Sequence, residues 1–149
     1  MKKQLLERLQ RAKEYTLAVS NAMPEENYSF KPVQEVWNFA DLINHISYGI
    51  QWWQANYILG EEVEWDPQVM NDEKKQVIKT LNTVFKEFEE VCQNISLSNS
   101  TEIMGFHSTL DHVTHHRAQA VVYLRCKVSF LLNISINLKS HKYGSLLYN

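Results

Sequence analysis

The stretch DHVTHHRAQAVVYLRCK, residues 111–127, has the pattern of a long amphipathic helix. Its apolar residues recur at helical spacing and form one stripe through Val113, Ala120 and Leu124. Ser108 precedes it, with Asp111 three residues later in the position of a capping box. The pattern therefore predicts a helix that begins near Ser108 and ends at about Lys127.

Three further amphipathic stretches come before this helix in the chain. The spacing predicts a first helix over about 2–22 and a third over about 72–94. The second helix has clear boundaries, because Asn38 and Asp41 form a capping-box pair at its start and Gly60 stops it. The connections between these helices have about ten residues or more and can hold crossovers, which suits a helix bundle.

The composition favours the same fold class. The chain has 149 residues, of which 44% are hydrophobic, which is enough for one domain with its own core. It has only four Gly and three Pro, whereas an all-β fold needs many turns. An all-α four-helix bundle is the predicted architecture.

Charge and hydropathy exclude several classes of partner. The formal net charge is -2 and no basic stripe is present, so we expect no nucleic-acid partner. No apolar run approaches the ~20 residues that span a bilayer, so we expect no membrane partner. The charged amino-terminal residues predict a helix and no signal peptide, and the two cysteines form no CxxC pair; we therefore expect a cytoplasmic protein.

The last helix contains three histidines within a stretch of five residues: His112, His115 and His116. Metal sites use helical spacings of three and four, so spacing alone permits His112 to pair with either neighbour. His116 lies on the side of the apolar stripe, whereas His115 lies about 100° away from His116. The helix faces therefore favour His112 and His116 as metal ligands, although such pairs also line solvated helix faces.

His45 lies at the edge of the apolar stripe of the second helix, beside Leu42 and Gly49. A single histidine there would often be a core-edge residue bonded to a carbonyl group. Together with His112 and His116, however, it completes the three-ligand set that is typical of an open catalytic metal site. Three neutral imidazoles would leave the full 2+ charge on a bound ion.

Three more residues lie two helical turns after a candidate ligand, on nearly the same face: Gln119, Tyr123 and Trp52. The first two could meet a substrate, and the tryptophan could form a wall of the pocket. Ordinary packing is the alternative for each of them, and a helical Trp could also pack against a second copy of the chain.

These same segments resemble the DinB/YfiT-like family. Residues 111–127 resemble the last-helix signature of that family, and VWNFADLINHI, residues 36–46, resembles its second-helix motif. The preceding YSFKPVQEVW is also similar, and the resemblance covers about residues 1–127. It implies an all-α, up-down-down-up four-helix bundle. Val128 stands where the family has a Gly, and no Pro follows it, so we interpret residues 128–149 as a divergent carboxy-terminal tail that could belong to the same domain.

The resemblance also implies a chemistry. Family members bind a divalent metal, often zinc or nickel, and the matching ligands here are His45, His112 and His116. Members of the family are often homodimers. The family includes thiol S-transferases that use bacillithiol or mycothiol, mycothiol-dependent isomerases and metal-dependent hydrolases. We therefore expect a small-molecule substrate, with a low-molecular-weight thiol as one option. A non-enzymatic metal-binding or stress-related bundle is the alternative.

Overall fold

The computed structural model describes residues 1–68 and 71–127, and all regular secondary structure in these ranges is helical. The four main helices are α1 (Lys2–Ala22), α2 (Phe39–Trp53), α3 (Lys74–Asn94) and α4 (Ser100–Lys127). The predicted all-α four-helix bundle is confirmed. The predicted tail, 128–149, lies outside the described residues.

The helix directions follow from contacts at the ends of the helices. Lys74 Nζ, at the start of α3, donates to the carbonyl of Met23, directly after α1. Asn44 Nδ2, in the first turns of α2, donates to the carbonyl of Asn71, just before α3. The end of α1 and the starts of α2 and α3 therefore lie at the same end of the bundle.

Helix α4 runs antiparallel to α2. His45 near the start of α2 meets His116 in the second half of α4, whereas Tyr57, after α2, packs against Gly105 near the start of α4. The order is therefore up-down-down-up, as expected. Each of α1 and α2 packs against both α3 and α4, so that α2 and α4 are neighbours.

The start of α4 differs from the sequence prediction. The helix begins at Ser100, because Asn99 Oδ1 accepts from the backbone N–H of Glu102 and caps the first turn. The Glu102 carboxylate in turn accepts from the Ser98 N–H. His107 therefore lies inside α4 and not before it, and Ser108 does not start the helix. By contrast, the predicted capping box of α2 is present.

The end of α2 contains a feature that the sequence pattern did not predict. After Trp53 the helix widens into a π-helical turn, Gln54–Leu59. Gly60 then ends the segment with a φ of 71°. This left-handed conformation is typical of a glycine that ends a helix, as the sequence predicted. The turn brings Tyr57 so close to α4 that a Cβ on Gly105 would lie 2.5 Å from the Tyr57 Cβ.

The core lies between the four helices. It is built mainly from aliphatic and phenyl side chains, the largest fully buried ones including Phe39, Phe85, Phe88, Phe106, Leu9 and Met23. Within the described ranges, none of the helices combines the length and the apolar character needed to cross a membrane.

Candidate metal centre

His45, His112 and His116 meet between α2 and α4. The His45 Nε2 lies 3.1 Å from the His116 Nε2 and 3.1 Å from the His112 Nε2. Helix α2 supplies the first residue, and two consecutive turns of α4 supply the other two. The proximity that the sequence predicted for these three side chains is confirmed.

The three side chains fit a divalent metal ion. Imidazole nitrogens bound to zinc at ~2.0–2.1 Å in tetrahedral geometry lie about 3.4 Å apart, close to the separations found here. One ligand atom from each histidine lies within 4.8 Å of the others. Within residues 1–68 and 71–127, no carboxylate or thiolate belongs to this group, so the donor set is three imidazoles.

Burial and mutual repulsion keep the imidazoles neutral, which is the form that binds metal. Desolvation, followed by the charge of His116, lowers the pKa of His45 to about 4. Desolvation and the neighbouring histidines lower the pKa of His112 to about 3. The pKa of His116 is lowered mainly by desolvation, although the hydrogen bond that His116 donates to Gln119 raises it. All three side chains are therefore ready to bind a cation near neutral pH.

Gln119 contacts the histidine group directly. Its Oε1 lies 2.8 Å from the Nδ1 of His116. Since an amide oxygen only accepts, this Nδ1 carries the proton, and the Nε2 of His116 keeps its lone pair for the centre of the group. Gln119, which the sequence placed near a substrate, is therefore positioned as an orienting partner of a candidate ligand.

Gly49 makes room for the ring of His112. A Cβ on Gly49 would lie 2.5 Å from the Nδ1 and 2.7 Å from the Nε2 of His112, which no side chain permits. The same Nδ1 is buried and has no hydrogen-bond partner within the described part of the chain. On the Nδ1 side, close contact with α2 and not a hydrogen bond therefore positions this ring.

Two tryptophans that the sequence analysis missed flank the histidines. The Trp37 ring centroid lies 4.4 Å from that of His45 and 6.1 Å from that of His116. The Trp65 centroid lies 5.5 Å from His45 and 6.5 Å from His112. Trp37 is 49% exposed and Trp65 is 44% exposed, so both rings remain accessible beside the group.

Side chains of α2 and of the π-helical turn hold the loop that carries Trp65. The Tyr48 hydroxyl accepts from the Asp66 N–H at 2.8 Å, and Trp52 Nε1 donates to the Val63 carbonyl at 2.9 Å. Trp52, expected as a wall of the pocket, packs on Trp65 with the centroids 5.4 Å apart. It therefore supports a residue that contacts the histidines; its own contact with a substrate stays a prediction.

Tyr123 supports the other tryptophan. Its hydroxyl donates to the backbone carbonyl of Trp37 at 3.1 Å, and burial raises the pKa of that phenol. The chain between α1 and α2 is also held by two backbone hydrogen bonds, from Phe39 to Phe30 and from Ala40 to Tyr28. One signal for Trp37 can be read from the sequence, namely its position directly before Asn38, the cap of α2.

His115 is exposed and stands outside the group of three. Its ring lies against that of His116, with the centroids 4.8 Å apart, but it supplies no candidate ligand atom. The cysteines are also elsewhere: Cys126 is exposed, and Cys92 is buried in the core, where desolvation raises its pKa to about 12.

The family model described as the DinB superfamily matches residues 8–124, which include the three clustered histidines. No curated protein and no solved structure is found to match the chain. The family match covers well over half of the 149 residues. The matched residues contain the three converging histidines and most of the four-helix bundle. The chain therefore belongs to the DinB superfamily.

Proposed function

We propose that this protein is a metal-dependent enzyme whose divalent ion is held by His45, His112 and His116. The observation that carries the proposal is the convergence of three Nε2 atoms at 3.1 Å between rings that stay neutral. Three protein ligands are the usual number in catalytic sites, where a fourth position is left for water or substrate. Zinc and nickel both accept imidazole ligands and are the ions that we expect.

We propose thiol transfer as the reaction. A divalent ion with only neutral ligands acts as a strong Lewis acid and favours the deprotonated form of a bound thiol. Such a reaction needs no separate general base, and no carboxylate of the described residues joins the three histidines. The thiol would lose its proton to solvent, form a bond from sulfur to an electrophilic carbon, and displace a leaving group with its electron pair.

The protein would hold the substrate in the space beside His45. A cavity of about 300 Å³ lies there, lined by Trp37, Tyr48 and Pro67 and by polar residues that include Asp41. We propose that the flat aromatic surfaces contact the apolar part of a small-molecule substrate, while the polar side chains contact its polar groups or water. Trp37 contacts both this space and the histidines, so it would orient the substrate toward them.

The test begins with the metal content of the purified protein, measured by mass spectrometry. The metal-loaded protein is then assayed with bacillithiol, mycothiol and cysteine, each with a chromogenic aryl halide, and separately with a chromogenic ester. We expect thiol consumption that His116→Ala removes and that His115→Ala retains. Ester hydrolysis without thiol transfer would identify a hydrolase instead. Bound metal with neither activity would favour a non-enzymatic metal-binding bundle.

We also propose that the protein forms a homodimer, as the resemblance implies. Exposed apolar side chains on the described surface would form the contact between two copies, among them Leu59, Val63 and Met104. Sedimentation analysis tests this directly, and a monomer at high micromolar concentration would contradict it. Trp52 and Trp53 are half-buried and pack on each other, so part of their surface is already used within one chain.

A further inference from the structure

A second cavity lies between α1 and α4, on a different face of α4 from the one that carries the three histidines. It has a volume of about 220 Å³. Three arginines line it, Arg8, Arg11 and Arg117, together with Tyr15, Asp111 and Thr114. We call this space the arginine groove. Arginine stays charged at all physiological pH values, so three arginines around one small space make it positively charged.

Within the part of the chain that the structure describes, the arginines of the groove form no ion pair with a carboxylate. Within residues 1–68 and 71–127 the single ion pair joins Lys13 and Glu89, and it includes none of the three. Asp111 lines the groove but forms no ion pair with them. The remaining residues, 69–70 and 128–149, contain no Asp or Glu, so no side chain there can supply a carboxylate. Among the residues that line the groove, Asp111 therefore offsets only part of the positive charge of the three arginines.

Arg117 is the fixed member of the group. Its guanidinium carbon lies 4.4 Å from the centroid of the Tyr15 ring, so the ring supports the guanidinium. Its one hydrogen bond within the described part of the chain is a long one, from Nη2 to the Thr114 hydroxyl at 3.4 Å. A guanidinium has five N–H donors, so most of the donors of Arg117 remain for another group. Burial lowers the pKa of Arg117, because desolvation makes its positive charge less favourable.

We propose that the arginine groove binds a small dianionic oxyanion, either inorganic phosphate or the phosphoryl group of a small phosphomonoester. Guanidinium groups match the oxygen pairs of such an anion with two parallel hydrogen bonds, and three of them compensate its double charge. The Thr114 hydroxyl is a further donor in the wall. The site is separate from the candidate metal centre and does not depend on a bound metal.

The test uses the full-length protein after chelation, which removes any metal that could bind phosphate itself. Inorganic phosphate is titrated at low ionic strength, with heat and the arginine Nε–Hε signals in NMR spectra as readouts. We expect saturable shifts in the signals of Arg117 and Arg11, weakened by added salt. Methyl phosphate is titrated in parallel. Equal binding assigns the groove to phosphomonoesters as well, whereas binding of inorganic phosphate alone assigns it to the free anion.

Substitutions distinguish a specific phosphate site in the arginine groove from general attraction of phosphate by positive surface charge. Arg11→Gln and Arg117→Lys should each weaken phosphate binding by about tenfold, because they remove a charge and a planar fork, respectively. Asp111→Asn should strengthen it severalfold. Lys86→Gln, which removes an exposed charge of α3, is the matched control and should change little. Equal effects of Arg11→Gln and Lys86→Gln, or no saturable binding to the wild-type protein, would overturn the proposal.

Discussion

The imidazole of His112 occupies the space where a side chain on Gly49 would begin. A Cβ at position 49 would lie 2.5 Å from the Nδ1 of this ring. Gly49 stands one helical turn after His45 on α2, so the same turn supplies one candidate ligand and the space for another. The absence of a side chain at this position is therefore a requirement of the candidate metal centre and not only of helix packing.

Gly49→Ala should weaken metal binding by at least about tenfold, because the added methyl group must displace the His112 ring. Gly105→Ala is a matched control, since it also adds a methyl group at a close helix contact, but against Tyr57. Both variants should lower stability by about 1–3 kcal/mol through overpacking. Calorimetric zinc titration and thermal unfolding together check this. Equal metal affinity in the two variants would contradict the role of Gly49.

The histidines should differ sharply in their effect on metal binding. His116→Ala should abolish stoichiometric binding, and His45→Ala and His112→Ala should weaken it severely, because each removes one of three ligand atoms. His115→Ala should leave it nearly unchanged. All four variants should keep their helical circular dichroism, because the core does not depend on the metal. Loss of metal from His115→Ala alone would contradict the assignment of the ligands.

Gln119→Leu should weaken metal binding about tenfold to a hundredfold, because His116 would lose the acceptor that fixes its tautomer. Gln119→Glu is the control, since a carboxylate also accepts from the Nδ1–H and should retain binding or strengthen it. Zinc affinities of the three proteins at pH 7 test this. If the leucine variant bound as tightly as the wild type, the hydrogen bond would have no part in positioning His116.

The metal-free protein should lose stability as the pH falls from about 6.5 toward about 4. The folded pKa values of His45 and His112 lie below the ordinary histidine value of 6.5, so in this window the unfolded chain binds more protons. Stability therefore rises with pH there and levels off above it.

His112→Leu checks this origin of the pH dependence, because it removes one of the two groups. Urea unfolding of both proteins at several pH values should give a shallower dependence for the variant. Parallel curves for the two proteins would show that other groups cause the loss of stability at low pH.

The main features of the fold could be predicted because they depend on local patterns. The apolar spacing and the Asn38–Asp41 capping box give the extent and start of α2, and both act within one or two helical turns. The faces of α4 likewise separate His116 from His115, because the angle between successive residues is fixed. The start of α4 was predicted wrongly, although Asn99 and Glu102 carry a readable capping signal within a run of small polar residues.

The amino-acid sequence by itself determined the helices, the fold class and the three histidines, since helical periodicity places residues on a face without reference to the rest of the chain. Only the tertiary structure decided what surrounds them. Trp37 and Trp65 lie in connections without periodicity, and they reach the histidines because distant side chains such as Tyr48 and Tyr123 hold those connections. The role of Gly49 depends on how closely α2 approaches α4, and that distance is set by packing across the whole bundle.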